Sequence, residues 1–273
     1  DWQGANAAWE QILLDHPTDV LAIRLAHFTH FYSGDARRMR DSAARVLPHW
    51  DTSVPGYGYI KGLYAFGLEE SGDYQAAERW GREAVDDNPS DIWATHAVTH
   101  VFEMQERHDE GMAWIDELSK QWTGMNNFTF HVWWHRALFS LEKESYDEVL
   151  TLYDTQIRAT QTKEYLDMSN AIAMLWRLES RGVDVGDRWE ELADLSEQRT
   201  QGHLLCFADA HFIMALARAG RTEAIQEMLA SLRQAAHRDD TQCQVIARVG
   251  VTLAEAIVSF HEGRFDAAFE HLL

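Results

Sequence analysis

Hydrophobic side chains recur along this chain with the three- to four-residue spacing of amphipathic helices, and short polar turns separate the apolar stretches. The clearest unit, residues 59–89, reads YIKGLYAFGLEESGDYQAAERWGREAVDDNP. We predict one helix that ends before Gly72 and a second that ends at Pro89, because glycine commonly follows a helix and proline cannot continue one. Three small side chains would let these helices approach closely: Ala65, Ala77 and Ala84.

The same alternation of apolar helix and polar turn continues on both sides, so we predict an all-α protein. Residues 5–17 have the pattern of the second helix of a unit, and residues 48–58 form the longest irregular stretch. The pattern predicts about six to seven antiparallel helix hairpins, stacked into a right-handed α-solenoid as a single array over residues 1–273. The other predicted pairs are 21–32 with 37–47, 92–106 with 110–122, 130–143 with 148–159, 166–181 with 187–199, 203–219 with 222–236, and 242–261 with 265–273.

The unit 59–89 resembles a tetratricopeptide repeat, which has small residues where its two helices touch and a proline after the second. Longer phrases are similar to the tetratricopeptide repeat protein 38 family and its bacterial relatives, among them WEQILLDHPTDVLAIRLAH, ATHAVTHVFEM, HVWWHRALFSLEK and LLCFADAHFIMALARAG. The resemblance implies a tetratricopeptide-like fold and further sequence on both sides, which agrees with the lack of a polar capping helix at either end. The bacterial relatives have been associated with secondary metabolism, an expectation that rests on analogy alone.

Composition argues against several classes of partner. The chain carries 44 acidic and 24 basic side chains, a net charge of −20, so a nucleic acid or an anionic membrane surface would be repelled. We also expect no membrane span, because no apolar run is judged to approach the roughly 20 residues that a span requires. Cys206 and Cys243 lack the spacing of a metal motif and lie in apolar stretches, which predicts buried thiols in a reducing cytoplasm.

Two histidine doublets are the strongest chemical signal in the sequence. His96 and His100 lie four residues apart, as do His131 and His135, so each doublet occupies one face of its own predicted helix. Matching members are separated by 35 residues, about the length of one helical repeat. Glu103 continues the first face by one turn, and imidazole with carboxylate suits divalent ions of zinc, iron, manganese or nickel.

The height of the second doublet depends on the loop before it. The loop TGMNN, residues 123–127, lengthens this repeat by about four residues, so we expect the second doublet about one turn earlier along its helix. Because neighbouring helix axes lie about 8–10 Å apart, the doublets would converge only if His135 leans toward the groove. Further candidates for the same groove are Asp209, His211, His27 and His30.

Three interpretations remain open from the residues alone. In the first, a binding or scaffold protein takes a peptide or small-molecule ligand in its concave groove. In the second, the doublets and Glu103 of a metal-dependent enzyme hold a divalent transition metal, the only cofactor implied. In the third, the histidines form a structural network, because fourteen histidines give about 0.7 such doublets by chance. The predicted groove residues are Trp93, His96, His100, Glu103, His131, Trp134, His135, Asp209 and His211.

Overall fold

The structure, a computed structural model, describes all residues from Asp1 to Leu273 and consists of helices and turns without a strand. The prediction of an all-α fold is therefore confirmed. The chain forms two compact units, Asp1–Lys143 and Glu144–Leu273. Both histidine doublets lie in the first unit.

The helices of the first unit are α1 (Trp2–Asp15), α2 (Val20–Tyr32), α3 (Ala36–Val46), α4 (Tyr57–Glu70), α5 (Tyr74–Asp87), α6 (Ile92–Met104), α7 (His108–Leu118) and α8 (Phe128–Glu142). Each of these helices packs against the next one along the chain. In addition, α4 contacts α6, and α6 contacts α8. These contacts between alternate helices bring side chains of successive helix pairs onto a shared face.

The helices of the second unit are α9 (Tyr146–Leu152), α10 (Tyr165–Ser180), α11 (Arg188–Glu197), α12 (Cys206–Arg218), α13 (Thr222–Ala235), α14 (Thr241–Val245), α15 (Val251–His261) and α16 (Phe265–His271). A π-helical turn, Tyr153–Ile157, follows α9, and another, Ile246–Gly250, joins α14 to α15. The sequence predicted uninterrupted α-helices at both places. At the second turn a Cβ atom on Gly250 would lie 2.8 Å from Cys206 Sγ, so the missing side chain permits this close packing.

Alternate helices end in the same way. The second residue after each of seven helices has a left-handed backbone, with φ between 57° and 83°. Five of these residues are glycine, which adopts this conformation without steric cost, and two are glutamate. They are Gly34, Gly72, Glu106, Glu144, Gly182, Gly220 and Gly263.

Small residues lie where helices of the first unit approach most closely, as the sequence predicted. Ala65, Ala77 and Ala84 are fully buried. Between α5 and α6, a Cβ atom on Gly81 would overlap Val98 Cγ2, so this contact requires glycine. Close packing of this kind fixes the height of α6 relative to its neighbours.

One helical segment, Thr241–His261, is long and apolar enough to cross a membrane by length and composition alone. The expectation that no apolar run reaches this length is therefore wrong, because only two charged residues, Arg248 and Glu255, interrupt the segment. The segment packs against α12, α13 and α16 within the second unit. A packed core helix meets the same criterion, so the finding by itself assigns no location.

Candidate functional site

The two histidine doublets meet on adjacent helices. His96 and His100 lie on α6, and His131 and His135 lie on α8, which contacts α6. The Nε2 atoms of His96 and His131 are 2.9 Å apart, and those of His100 and His135 are 3.2 Å apart. One ring nitrogen from each of the four residues lies within 4.8 Å of the other three. We refer to these four residues as the four-histidine cluster.

The two doublets lie at nearly the same height, so the expected offset of one helical turn is wrong. His96 is the fifth residue of α6, and His131 is the fourth residue of α8. The loop before α8 takes up its extra residues in a 3₁₀ turn, Ser119–Gln121, and in the left-handed Gly124. As a result, α8 begins at Phe128, two residues earlier than the sequence predicted.

Burial keeps two of the four imidazoles neutral. His96 and His135 are each only 4% exposed, and burial together with the charge of neighbouring histidines lowers the pKa of both well below 6.5. His100 and His131 are partly exposed. A neutral imidazole carries the lone pair that a metal ion or a hydrogen-bond donor requires, so the buried rings are in their ligand form at neutral pH.

Two carboxylates lie behind the cluster, on the side of the Nδ1 atoms. The Nδ1 atom of His100 lies 3.2 Å from Glu69 Oε2, and that of His135 lies 3.5 Å from Glu103 Oε2. Burial opposes protonation of His100, but the hydrogen bond to Glu69 and the charges of Glu69, Glu70 and Glu103 outweigh it and raise the pKa of His100. The hydrogen bond to Glu69 favours the tautomer of His100 with its proton on Nδ1, which turns the Nε2 lone pair of His100 toward the cluster.

The sequence pattern indicated Glu103 but not Glu69, although both lie beside the cluster. Glu69 is the penultimate residue of α4 and is 5% exposed, a burial that a carboxylate tolerates only with a partner. Glu69 and Glu103 each lie three residues before a left-handed residue, Gly72 and Glu106 respectively. The repeat register therefore contained the signal, because Glu69 occupies the position of Glu103 one repeat earlier.

Aromatic rings border the cluster. Trp93 stacks on Phe128 with ring centroids 3.7 Å apart, and the Phe128 centroid lies 5.2 Å from that of His96 and 5.3 Å from that of His131. Trp134 stacks on His131 with centroids 5.8 Å apart. The predicted groove residues Trp93 and Trp134 are therefore next to the cluster, and Phe128 joins Trp93 to it.

The two histidines of α2 have other surroundings. His27 is buried, and its ring centroid lies 5.7 Å from that of Phe66. Phe66 in turn contacts the ring of His96, with centroids 5.4 Å apart, so it stands between His27 and the cluster. His30 Nε2 lies 2.9 Å from Glu10 Oε1. Neither histidine belongs to the group of converging ligand atoms.

Two predicted groove residues, Asp209 and His211, belong to the second unit and have partners within it. His203 Nδ1 lies 3.2 Å from Asp209 Oδ2, and His203 Nε2 lies 2.7 Å from Ser231 Oγ. This chain of contacts ties the start of α12 to α13. The Nδ1–H group of His211 donates to the carbonyl oxygen of Phe207 at 2.8 Å. A place for Asp209 and His211 in the same groove as the doublets stays a prediction.

The two shortest nitrogen–nitrogen distances of the cluster fit ligands that share one metal ion. With metal–nitrogen bonds of about 2.0–2.1 Å, nitrogen atoms 2.9 and 3.2 Å apart subtend angles of about 90° to 105° at a shared ion. These angles lie between those of octahedral and tetrahedral coordination. His96 and His135 are neutral, which is the protonation state that a metal requires, whereas a metal ion at His100 would displace the proton that its raised pKa favours.

Comparison with known protein families finds no family model that matches this chain.

Proposed function

We propose that the first unit binds one divalent transition metal ion in the four-histidine cluster and a small organic molecule beside it. The convergence of four imidazole nitrogens within 4.8 Å of one another carries this proposal. Imidazole is the preferred ligand of zinc and also suits iron and nickel. Because the chain has 14 histidines, two chance doublets are plausible in sequence, but chance does not account for their pairwise meeting across two helices.

The carboxylates behind the cluster support a metal site. Metal-ligating histidines usually donate their second ring N–H to a carboxylate, which fixes the ring orientation and makes the other nitrogen a stronger ligand. Glu69 beside His100 has this relationship, whereas Glu103 Oε2 lies 3.5 Å from His135 Nδ1 without a hydrogen bond between them. The buried position of Glu69 is explained if its charge is balanced by a cation bound on the far side of the His100 ring.

The partly exposed side of the cluster favours a reactive site over a closed structural one. His100 and His131 are partly exposed, and Phe128 and Trp134 both contact the ring of His131. An ion held by these four imidazoles would supply Lewis-acid chemistry to a water molecule or a substrate beside it. We therefore favour a metal-dependent enzyme that acts on a small molecule.

We also propose that the helix pairs stack as a tetratricopeptide-like right-handed solenoid and that the chain is related to the tetratricopeptide repeat protein 38 family. The left-handed residue that recurs after alternate helices supports a repeated helix pair. The buried small residues Ala65, Ala77 and Ala84 occupy the positions that the repeat pattern assigns to helix contacts. An association with secondary metabolism would agree with a small-molecule site.

A groove that binds a peptide or small molecule without a metal is the second candidate, and one observation favours it. The pKa of His100 is raised, so a proton shared by His100 and His135 can occupy the place of the metal ion. Ligand binding would then depend on pH near neutrality. This candidate needs no change in the fold or in the groove residues.

Metal analysis separates the two candidates. Purified protein would be stripped with a chelator, loaded with zinc or nickel, desalted and assayed for metal per chain. We expect one ion per chain in the unaltered protein and less than 0.1 ion, on the order of background, in a His96→Ala, His135→Ala double variant. His49→Ala is the control, because His49 is exposed and lies outside the cluster. Circular dichroism would check the helix content of each variant, and folded protein that retains no metal would overturn the metal site.

A further inference from the structure

Arg24 of α2 has surroundings unlike those of the fully buried arginines. Its guanidinium carbon lies 3.9 Å from the ring centroids of both Phe28 and Trp93. No carboxylate lies within 4.0 Å of the guanidinium, and it donates no hydrogen bond to another residue. Its five N–H donors are therefore held between aromatic faces without an acceptor from the protein.

Two other arginines of this chain are buried, and each pairs with a carboxylate. Arg136 is 8% exposed and pairs with Asp116 at 2.9 Å, and Arg158 is 7% exposed and pairs with Glu191 at 2.5 Å. In this strongly acidic chain, a buried arginine normally has a carboxylate partner, since an unpaired buried charge is costly. Arg24 is partly buried and has none.

Asp91, the carboxylate whose charge acts on Arg24, already accepts hydrogen bonds from the backbone. Asp91 caps α6, where its Oδ1 atom accepts the backbone N–H groups of Trp93 and Ala94 at 3.1 Å. Burial lowers the pKa of Arg24 to about 10, and the charges of Asp91 and Tyr32 offset this only in part. The guanidinium remains charged at neutral pH, so it is available to an anion from outside the protein.

Two stacked aromatic rings, Trp93 and Phe128, connect Arg24 with the four-histidine cluster. Arg24 lies over Trp93, Trp93 stacks on Phe128 at 3.7 Å, and Phe128 contacts the rings of His96 and His131. Two aromatic rings therefore separate the cation from the imidazoles. Because Arg24 and Phe128 cover the two faces of Trp93, a flat ligand body would lie across the edges of these rings, with one end at Arg24 and the other at the cluster.

Taking the metal site proposed above as its basis, we propose that the small molecule bound beside the four-histidine cluster is an organic anion with a flat apolar body. Its carboxylate pairs with the guanidinium of Arg24, which presents paired N–H donors in the geometry that a carboxylate accepts. Its apolar body contacts the ring edges of Trp93 and Phe128.

The test compares carboxylates with their neutral amides. Benzoate, 2-naphthoate and indole-3-acetate, each paired with its primary amide, would be titrated into zinc-loaded protein by isothermal calorimetry. We expect at least one carboxylate to bind about tenfold or more tightly than its amide, in line with a charge-assisted hydrogen-bonded pair. Arg24→Gln should reduce this preference to within about twofold, and Arg24→Lys should retain part of it, since lysine keeps the charge but not the paired donors.

Arg79→Gln is the matched control, because Arg79 is an exposed arginine of the same unit and lies on α5. It should leave the preference unchanged, and thermal unfolding would establish that each variant is folded. Equal binding of every acid and amide, or an unaltered preference in Arg24→Gln, would overturn the anion site. If zinc fails to bind but the Arg24-dependent preference persists, the metal site fails and the anion site serves a metal-free groove. If zinc binds and the preference is absent, only the anion site fails.

Discussion

The Nε2 atoms of His100 and His135 face each other across 3.2 Å, while the Nδ1 atoms of both rings face carboxylates. The hydrogen bond to Glu69 favours a proton on Nδ1 of His100, which turns the Nε2 lone pair of His100 toward His135. A neutral His135 with its proton on Nε2 can donate to this lone pair, and a metal ion can take the place of that proton. A proton between the two rings agrees with the raised pKa of His100 beside the lowered pKa of His135.

Removal of one imidazole should weaken metal binding severely. We expect His131→Ala to lower zinc affinity by more than about 100-fold, because loss of a direct ligand should exceed the 10–100-fold cost of losing an outer partner. His131 is partly exposed, so its truncation leaves the buried core in place. Competition with a chromophoric chelator measures the affinity, with the exposed His16→Ala as control. An affinity within threefold of the unaltered protein, on the order of the assay error, would contradict the assignment of His131 as a ligand.

Glu69 should act through His100 and not as a direct ligand. We expect Glu69→Gln to lower zinc affinity by about tenfold, since glutamine still accepts the Nδ1–H bond but no longer supplies a negative charge. Glu83→Gln, at an exposed position on α5, should have no effect. The same chelator competition distinguishes the outcomes. A loss as large as that of His131→Ala would indicate that Glu69 binds the metal itself, and no loss would remove it from the site.

The helices and the histidine doublets could be predicted from the sequence because the patterns that indicate them are local. Apolar periodicity, a glycine after the helix and two histidines one turn apart all lie within a single repeat. The height of α8 could not be predicted, because loop length alone does not reveal whether extra residues extend a helix or form a 3₁₀ turn such as Ser119–Gln121.

Contacts between repeats were harder to foresee. Glu69 lies on α4 and Arg24 on α2, and the contact that links each of them to the site is with a residue of α6, His100 and Trp93 respectively. Nothing in the local pattern around Arg24 distinguishes it from a surface arginine, whereas its two aromatic neighbours come from α2 and α6 together. The buried acid had a weaker but real signal, since it stands at the same repeat position as Glu103.

Two glycines of α4 should respond to alanine in opposite directions. A Cβ atom on Gly67 would lie 2.7 Å from the Cα atom of Arg40, and a backbone atom cannot move aside as a side chain does. We expect Gly67→Ala to lower the free energy of unfolding by about 1–3 kcal/mol through overpacking. A Cβ atom on Gly58 would meet no other atom within 4 Å, so Gly58→Ala should raise the free energy of unfolding by about 0.5–1 kcal/mol.

Urea unfolding followed by circular dichroism measures both changes. The two substitutions are chemically identical and lie in the same helix, so each serves as the other's control. If Gly67→Ala were neutral, α3 and α4 would have to be further apart than the structure places them.

Acid should destabilise the metal-free protein partly through His27. Burial, followed by the charges of Arg24 and His30, lowers the pKa of His27 to about 3. The unfolded chain binds a proton below the ordinary pKa of 6.5, but the folded protein does not until about pH 3, so stability falls as pH decreases through this window. Between pH 6.5 and pH 5 His27 therefore lowers the free energy of unfolding by roughly 2 kcal/mol, at about 1.4 kcal/mol per pH unit.

A His27→Leu variant should therefore lose about 2 kcal/mol less stability than the unaltered protein between pH 7.5 and pH 5. Leucine retains the apolar contact with Phe66 and cannot be protonated. Urea unfolding in the presence of a chelator gives the free energy at each pH, and His16→Gln at an exposed site is the control. Parallel pH profiles for His27→Leu and the unaltered protein would show that His27 is accessible to protons in the folded state.

The two glutamates in the left-handed series offer a way to stabilise the protein. Glu106 has φ of 57° at a position where five other repeats have glycine, and a side chain in this conformation costs about 1–2 kcal/mol. We expect Glu106→Gly to raise the free energy of unfolding by about 0.5–1 kcal/mol, since relief of strain exceeds the added entropy of the unfolded glycine. Gly72→Ala, at the equivalent position one repeat earlier, should lower it by about 1 kcal/mol. Urea unfolding checks both, and a destabilised Glu106→Gly variant would mean that the side chain makes a contact worth more than its backbone strain.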